Sequence, residues 1–158
     1  SVCGGEIGAQ AKWNNGFGAR LTYAYTKEQL AKDKNGNTIN NQYIPAREHA
    51  LNARVDFDRQ LTKTYGLNIA LQGRVLSGVE NVEYKDYYDV SKGTISVEYP
   101  AYTIWKLSVV QRVGKAVKVN VALDNLFGYK PKYYYLNSPI TDGINLQIGM
   151  SIDIDKIF

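Results

Sequence analysis

Two kinds of side chain in this sequence could hold a ligand, namely one histidine and a set of tyrosines. His49 is the sole histidine. Its imidazole could ligate iron, but no second ligand accompanies it. The alternative is a structural role at the rim of the fold, where a strand begins. Tyrosine rings offer aromatic faces for a bulky ligand, although they could equally pack within loops. The candidate ligand contacts are His49, Tyr84, Tyr87, Tyr88, Tyr133 and Tyr134, with Tyr135 in the same run.

The acidic side chains do not form a recognisable catalytic or metal-binding pattern. Asp56 and Asp58 share one face of a strand, as paired carboxylates would, but no nucleophile or metal motif lies near them in sequence. A second acidic group is spaced unlike a calcium-binding loop, and a solvated acidic loop accounts for it: Glu80, Glu83, Asp86 and Asp89. We therefore predict no enzyme, no metal site and no cofactor.

The elements that position these residues are β-strands with one apolar and one polar face. From Val117 to Asp124, and again from Ile144 to Ile154, apolar residues alternate with polar ones. Because successive side chains on a strand point to opposite faces, each run has one continuous apolar face. The terminal Phe158 has the same parity as the apolar set. Five further strands are predicted at residues 5–13, 17–27, 50–59, 67–75 and 101–112.

The connections between these seven strands alternate between short and long. Short turns are predicted at residues 14–16, 60–64 and 113–115, and long loops at 28–49, 77–100 and 127–142. In an up-and-down arrangement all short turns lie at one end and all long loops at the other, as in outer-membrane barrels. The sequence therefore predicts an all-β fold of antiparallel, up-and-down transmembrane β-barrel strands, with lipid against the apolar face.

The arginines and acids of the polar face have a structural interpretation. We expect them to line a barrel lumen and to pair across strands or with another part of the protein: Arg20, Arg54, Arg74, Asp56, Asp58 and Asp124. The net charge of +4 does not indicate nucleic-acid binding, since the 19 basic residues are scattered among 15 acids. The lone Cys3 supports neither an internal disulfide nor a metal cluster.

One segment, Asp124-Asn125-Leu126-Phe127-Gly128, resembles the C-terminal end of TonB-dependent outer-membrane receptors. Other parts of the chain are similar to that family in the same order: Gly4-Gly5-Glu6, Tyr23-Ala24-Tyr25-Thr26, Ile44-Pro45 with His49, Tyr133-Tyr134-Tyr135, Pro139, Thr141-Asp142-Gly143 and Phe158. Two positions depart from the family pattern. Ile144 stands where an arginine often follows the last glycine, and Lys156 interrupts the apolar parity before Phe158.

The resemblance implies a 22-stranded barrel with an N-terminal plug, of which residues 1–158 would be the last seven strands. Such receptors sit in the bacterial outer membrane and import an iron chelate, haem or cobalamin. The implied partners are membrane lipid, the nutrient, the TonB system through the absent plug, and the barrel-assembly machinery through Phe158. The N-terminus lacks a secretory leader, so we expect a removed leader or a start elsewhere in the gene product.

Two other interpretations remain open at the level of sequence. A small self-contained outer-membrane barrel, acting as an adhesin or a structural protein, would need an eighth strand. The short strand expected at residues 94–97 would extend such a strand but would hardly supply it. A soluble ligand-binding barrel would show the same alternation with its apolar face turned inward, but it would explain neither the terminal Phe158 nor the alternation of short and long connections.

Overall fold

The structure, a computed structural model, describes residues 2–28, 34–35, 46–86, 88–131 and 141–156. It contains nine strands: β1 (Val2–Lys12), β2 (Phe17–Glu28), β3 (His49–Gln60), β4 (Tyr65–Leu76), β5 (Val79–Tyr84), β6 (Thr94–Tyr99), β7 (Tyr102–Val113), β8 (Val117–Asp124) and β9 (Asn145–Ile152). Two short 3-10 helices, Val90–Lys92 and Ile154–Lys156, complete the described elements. The all-β prediction is confirmed.

Seven of the strands form one sheet in the order β1-β2-β3-β4-β7-β8-β9. Each strand therefore pairs with its neighbour along the sheet, and the printed registers of β7 with β8 and of β8 with β9 are antiparallel. This confirms the predicted up-and-down, seven-stranded arrangement. In the part of the chain that the structure describes, the sheet is open, with β1 and β9 as its two edges.

Tight turns join the strands where the sequence predicts short connections. Between β1 and β2, the amide of Trp13 donates to Phe17 O at 2.8 Å, and Gly16 has a φ of 97°. That conformation is cheap for glycine alone, because other residues would bring Cβ against the backbone. Residues 61–64 join β3 to β4, and residues 114–116 join β7 to β8. All three predicted short connections are confirmed.

Two predicted boundaries are wrong. Strand β9 ends at Ile152 rather than Ile154, because its partner β8 begins at Val117, which pairs with Ile152. The amide of Asp153 makes one more bond, to Ala116 O at 2.8 Å, before the chain turns into the 3-10 helix. At the other edge, β1 begins at Val2, three residues earlier than predicted. Phe158 lies outside the described residues.

The second long connection contains regular structure where the sequence predicts mainly a loop. Strands β5 and β6 pair with each other in a separate two-stranded sheet, from Val79 opposite Tyr99 to Tyr84 opposite Thr94. We call residues 79–99 the hairpin arm. The strand expected near residues 94–97 is therefore real, but it adds no eighth strand to the main sheet. Residues 94–97 therefore do not provide the eighth strand that a small self-contained barrel would need.

The two faces of the main sheet differ as the alternation predicts. Opposite Val121 and Val119 in β8 stand Ile148 and Met150 in β9, while Asn120 stands opposite Gly149. On β9 the apolar side chains are largely uncovered, with exposed fractions of 70% for Ile148 and 66% for Met150. Among the described residues, the buried hydrophobic core consists of Ala70, Leu76 and Tyr99. An exposed apolar face requires a medium other than water against it.

The chain divides into two compact units. The first unit comprises Ser1–Ile7, Tyr23–Leu51 and Val75–Tyr102, and the second comprises Gly8–Thr22, Asn52–Arg74 and Thr103–Phe158. The hairpin arm belongs to the first unit, and the β8–β9 pair to the second. Over the described ranges, neither of the short helices has the length and apolar character needed to cross a membrane.

Candidate functional site

His49 lies in an aromatic cluster of the first unit, at the first position of β3. Its Nδ1 and the hydroxyl of Tyr23 share a hydrogen bond of 2.7 Å, and the ring centroid of Tyr25 lies 5.3 Å away. By strand alternation, His49 falls on the same face as Leu51 and Val55, the apolar face. The neighbours of this imidazole are therefore tyrosines, the residue type that is enriched at membrane–water interfaces. This geometry agrees with the rim interpretation of His49.

The hairpin arm carries two of the predicted tyrosines. Tyr84 is the last residue of β5, and Tyr88 follows at the tip with its whole side chain exposed, at 102% of the reference area. An aromatic ring in that position makes few contacts within the protein. Few contacts must therefore be broken before the ring can pack against a partner. Tyr88 is thus the most accessible of the predicted ligand contacts among the described residues.

Short polar bonds organise the tip of the arm around Asp86 and Asp89. Asp86 Oδ1 accepts from the amide of Tyr88 at 2.9 Å, and Asp86 Oδ2 accepts from Lys92 Nζ at 2.6 Å. Asp89 caps the 3-10 helix by accepting from the amide of Ser91 at 3.1 Å. The hydrogen bond from Lys92, followed by the one from the Tyr88 amide, holds the pKa of the Asp86 carboxyl below its ordinary value of 3.8. The acids of this segment thus fix a turn.

The structure brings together only part of the predicted site. In the described ranges, no hydrogen bond or ring contact links Tyr84 or Tyr88 to His49. Tyr87, Tyr133, Tyr134 and Tyr135 lie outside the described residues, as do Pro139 and the Ile44-Pro45 pair. Within the same ranges, no three His, Cys, Asp or Glu side chains are grouped as metal ligands.

The polar face of the second unit carries the charged residues assigned to a lumen wall. Arg20 Nη2 donates to Gln10 Oε1 at 2.8 Å, and Arg54 pairs with Asp56 at 3.1 Å. These four side chains line an open cleft of about 360 Å³. Two further ion pairs lie on this face, Arg112 with Asp58 at 2.6 Å and Lys106 with Asp124 at 3.0 Å. Cross-strand pairing of charges is thus observed for Asp58 and Asp124.

Two residues with organising roles were not predicted. The first is Asn125, which is 3% exposed and has a φ of 53°, the left-handed region. Its Nδ2 donates to Tyr129 O at 2.7 Å and to Gly143 O at 3.1 Å, while its Oδ1 accepts from the Tyr129 amide at 2.9 Å. Asn125 therefore ties together both ends of the third long connection. An Asn directly after a strand is a signal for such a turn, because Asn tolerates positive φ.

The second is Arg47, just before β3. Its Nη1 donates to the carbonyl oxygens of Ser77 and Pro100, the latter at 2.9 Å. Its guanidinium carbon lies 4.7 Å from the ring centroid of Tyr102. The sequence carries no signal for these contacts, since two of the three partners are backbone carbonyls far along the chain.

Comparison with known proteins gives one positive finding. The family model described as TonB dependent receptor-like, beta-barrel matches residues 4–126, which is most of the chain. This range runs from the third residue of β1 to Leu126, two residues after the end of β8. A search of curated proteins gives no match.

Proposed function

Because this chain belongs to the TonB-dependent receptor β-barrel family, we propose that it forms part of a bacterial outer-membrane receptor that takes up a scarce nutrient. We further propose that residues 1–158 are the C-terminal segment of the barrel, the last seven of 22 strands. The plug and the other strands would lie elsewhere in the receptor. Members of this family are transporters, so no catalytic role is proposed.

One observation carries the proposal beyond family membership. The same sheet has exposed aliphatic side chains on one face, such as Ile148 and Met150, and ion pairs on the other, such as Arg112 with Asp58. Lipid on the apolar side and water on the polar side satisfy both faces together. A soluble barrel would turn the apolar face inward and cover it. In the described ranges that face is uncovered.

The proposed partners follow from the same assignment. Membrane lipid contacts the apolar face, the TonB system acts through the plug, and the assembly machinery recognises the end of the chain at Phe158. The proposed nutrient is an iron chelate, haem or cobalamin. Its proposed contacts are Tyr84, Tyr87, Tyr88, Tyr133, Tyr134 and His49. The exposure of Tyr88 supports its inclusion, whereas the hydrogen bond to Tyr23 favours a structural part for His49.

Membrane location and orientation can be tested by labelling single cysteines in the intact receptor. The exposed Cys3 is first replaced by serine. A cysteine is then placed at Tyr88, in the hairpin arm, or at Lys63, in the short β3–β4 connection. A membrane-impermeant maleimide added to whole cells should label position 88 at once. Position 63 should react only after the outer membrane has been permeabilised, because short turns face the periplasm.

The outcomes separate the alternatives. Labelling of position 63 but not of position 88 in intact cells would show that the barrel has the opposite orientation to the one proposed. Recovery of the protein without detergent would exclude a membrane receptor. The apparent mass of the labelled band adds a second distinction. A heat-modifiable band far above 17.7 kDa indicates a large receptor, whereas one near that mass indicates a small self-contained barrel.

The nutrient class is tested by uptake. A strain lacking the receptor gene is supplied in turn with radiolabelled ferric chelate, haem and cobalamin as the sole source of that nutrient. Loss of uptake of one of them, restored by the wild-type gene, identifies the class. Normal uptake of all three would exclude the proposed substrates.

A further inference from the structure

Arg47 occupies the base of the hairpin arm. The chain enters the arm through Ser77, two residues before β5, and leaves it through Pro100, directly after β6. Arg47 Nη1 donates to the carbonyl oxygens of both residues. One guanidinium thus bridges the two legs of the arm at the point where they join the main sheet.

Other bonds hold one of these legs. The amide of Ser77 donates to His49 O at 2.9 Å, and the amide of His49 donates to Ser77 Oγ at 3.1 Å. These bonds fix the entering leg to β3 but do not involve Pro100. The contact from Arg47 to Pro100 O therefore secures the leaving leg to the same anchor. Without the contact to Pro100, this group of bonds would hold only the entering leg of the arm, at Ser77.

The contacts explain why arginine suits this position. A guanidinium is a planar fork with several N–H donors, so it can serve two carbonyl oxygens and stack on a ring at once. Tyr102, at the start of β7, supplies that ring at 4.7 Å from the guanidinium carbon. An ammonium group is a compact, strongly hydrated charge and lacks the planar surface. Lysine would keep the charge of Arg47 but lose the combined geometry.

We propose that Arg47 is a positioning residue for ligand capture, which holds the hairpin arm, and with it Tyr84 and Tyr88, in one orientation. This inference rests on the proposed receptor function for its biological meaning. In this proposal Arg47 does not contact the ligand itself and acts only by holding the arm. Its substitution is expected to loosen residues 79–99 while leaving the β7–β8 pair unchanged.

The test is hydrogen–deuterium exchange of the full receptor in lipid nanodiscs, comparing wild type with Arg47→Met. Backbone amides of β5 and β6 should exchange at least about tenfold faster in the variant, because loss of charge-assisted hydrogen bonds raises local opening by that order. Amides of β7 and β8 should keep their wild-type rates. The matched control is Arg74→Met, since Arg74 is an exposed arginine of β4 whose side chain makes no hydrogen bond or ion pair in the described ranges.

A second variant separates charge from geometry. Arg47→Lys should still exchange several-fold faster than wild type in the arm, since Lys cannot reproduce the bridge and the ring contact together. If Arg47→Met fails to assemble, the lysine variant alone decides the question. Arm exchange equal to that of Arg74→Met, or full rescue by lysine, would overturn the proposal.

Failure of this inference is distinguishable from failure of the proposed function. Exchange in the arm does not depend on uptake, whereas maleimide labelling at position 88 reports on the cell surface. Fast arm exchange in Arg47→Met combined with no surface labelling would retain the role of Arg47 and reject the receptor. Surface labelling combined with unchanged exchange in the arm would support the receptor and reject the role of Arg47.

Discussion

At the scale of single residues, the most consequential side chain of the described structure is Asn125. It follows β8 directly, adopts a left-handed conformation and bonds to both Tyr129 and Gly143. The family motif Asn125-Leu126-Phe127 thus has a physical basis, because one residue must accept positive φ and also donate hydrogen bonds to two part-buried carbonyl oxygens. Asn meets both needs, while Gly meets only the first.

Substitution of Asn125 separates these two contributions. Asn125→Gly keeps the positive φ but loses the hydrogen bonds that the side-chain amide makes to Tyr129 and Gly143, and we expect a loss of about 1–3 kcal/mol. Asn125→Ala adds the cost of a left-handed alanine, about 1 kcal/mol more. Urea unfolding of the receptor in lipid vesicles measures both. Equal stability of the two variants would show that the backbone conformation contributes nothing.

At the scale of elements, prediction succeeded where strands are half exposed. In β8 and β9 the large aliphatic residues all face one side, so they recur with a period of two from Val117 to Leu123 and from Leu146 to Ile152. For β5 and β6 the sequence predicts only a short strand near residues 94–97 and misses the pairing, in which Glu80 stands opposite Glu98 and Glu83 opposite Ile95. Two faces of mixed polarity give no alternation, so only the pairing itself reveals that hairpin.

The contacts of Arg47 and Asn125 were beyond prediction for a different reason. Arg47 reaches Pro100 across 53 positions, and Asn125 reaches Gly143 across 18. Both acceptors are backbone carbonyls, which every residue possesses and no side-chain pattern marks. Of the candidate ligand contacts, Tyr84 and Tyr88 could be assigned to one segment from sequence, but their separation from the His49 cluster required the fold.

The tip of the hairpin arm is expected to lose order in acid. The pKa of Asp86 is lowered in the folded arm, mainly by the hydrogen bond from Lys92, so its stabilising contribution is complete above the ordinary value of 3.8. It is lost as the pH falls below 3.8 and through the lower folded pKa. A nitroxide at position 88, in a Cys3→Ser background, should become more mobile over that range.

Replacement of Lys92 provides the control for this pH dependence. In Lys92→Met the largest cause of the lowered pKa is removed, so the rise in nitroxide mobility should begin at higher pH than in wild type. The label should also be more mobile at neutral pH, because the 2.6 Å contact with Asp86 is gone. Identical profiles for wild type and Lys92→Met would contradict this assignment of the acid effect.

At the scale of the whole molecule, the surrounding medium decides what each face tolerates. Ile148 lies in the middle of β9 on the apolar face, and Gln147 lies beside it on the polar face. In lipid, Ile148→Arg should cost about 2–4 kcal/mol, whereas Gln147→Arg should be nearly neutral. Urea unfolding of the two receptor variants in vesicles compares them directly. A similar cost for both would argue against lipid on the apolar face.

The open edges of the main sheet have a consequence for reconstitution. Strands β1 and β9 each present a row of backbone donors and acceptors along one side, and strand edges of this kind recruit any segment of matching register. A polypeptide supplying the missing strands, produced separately, should therefore complement this chain in trans. The two edges make the chain suited to use as one half of a split reporter for membrane insertion.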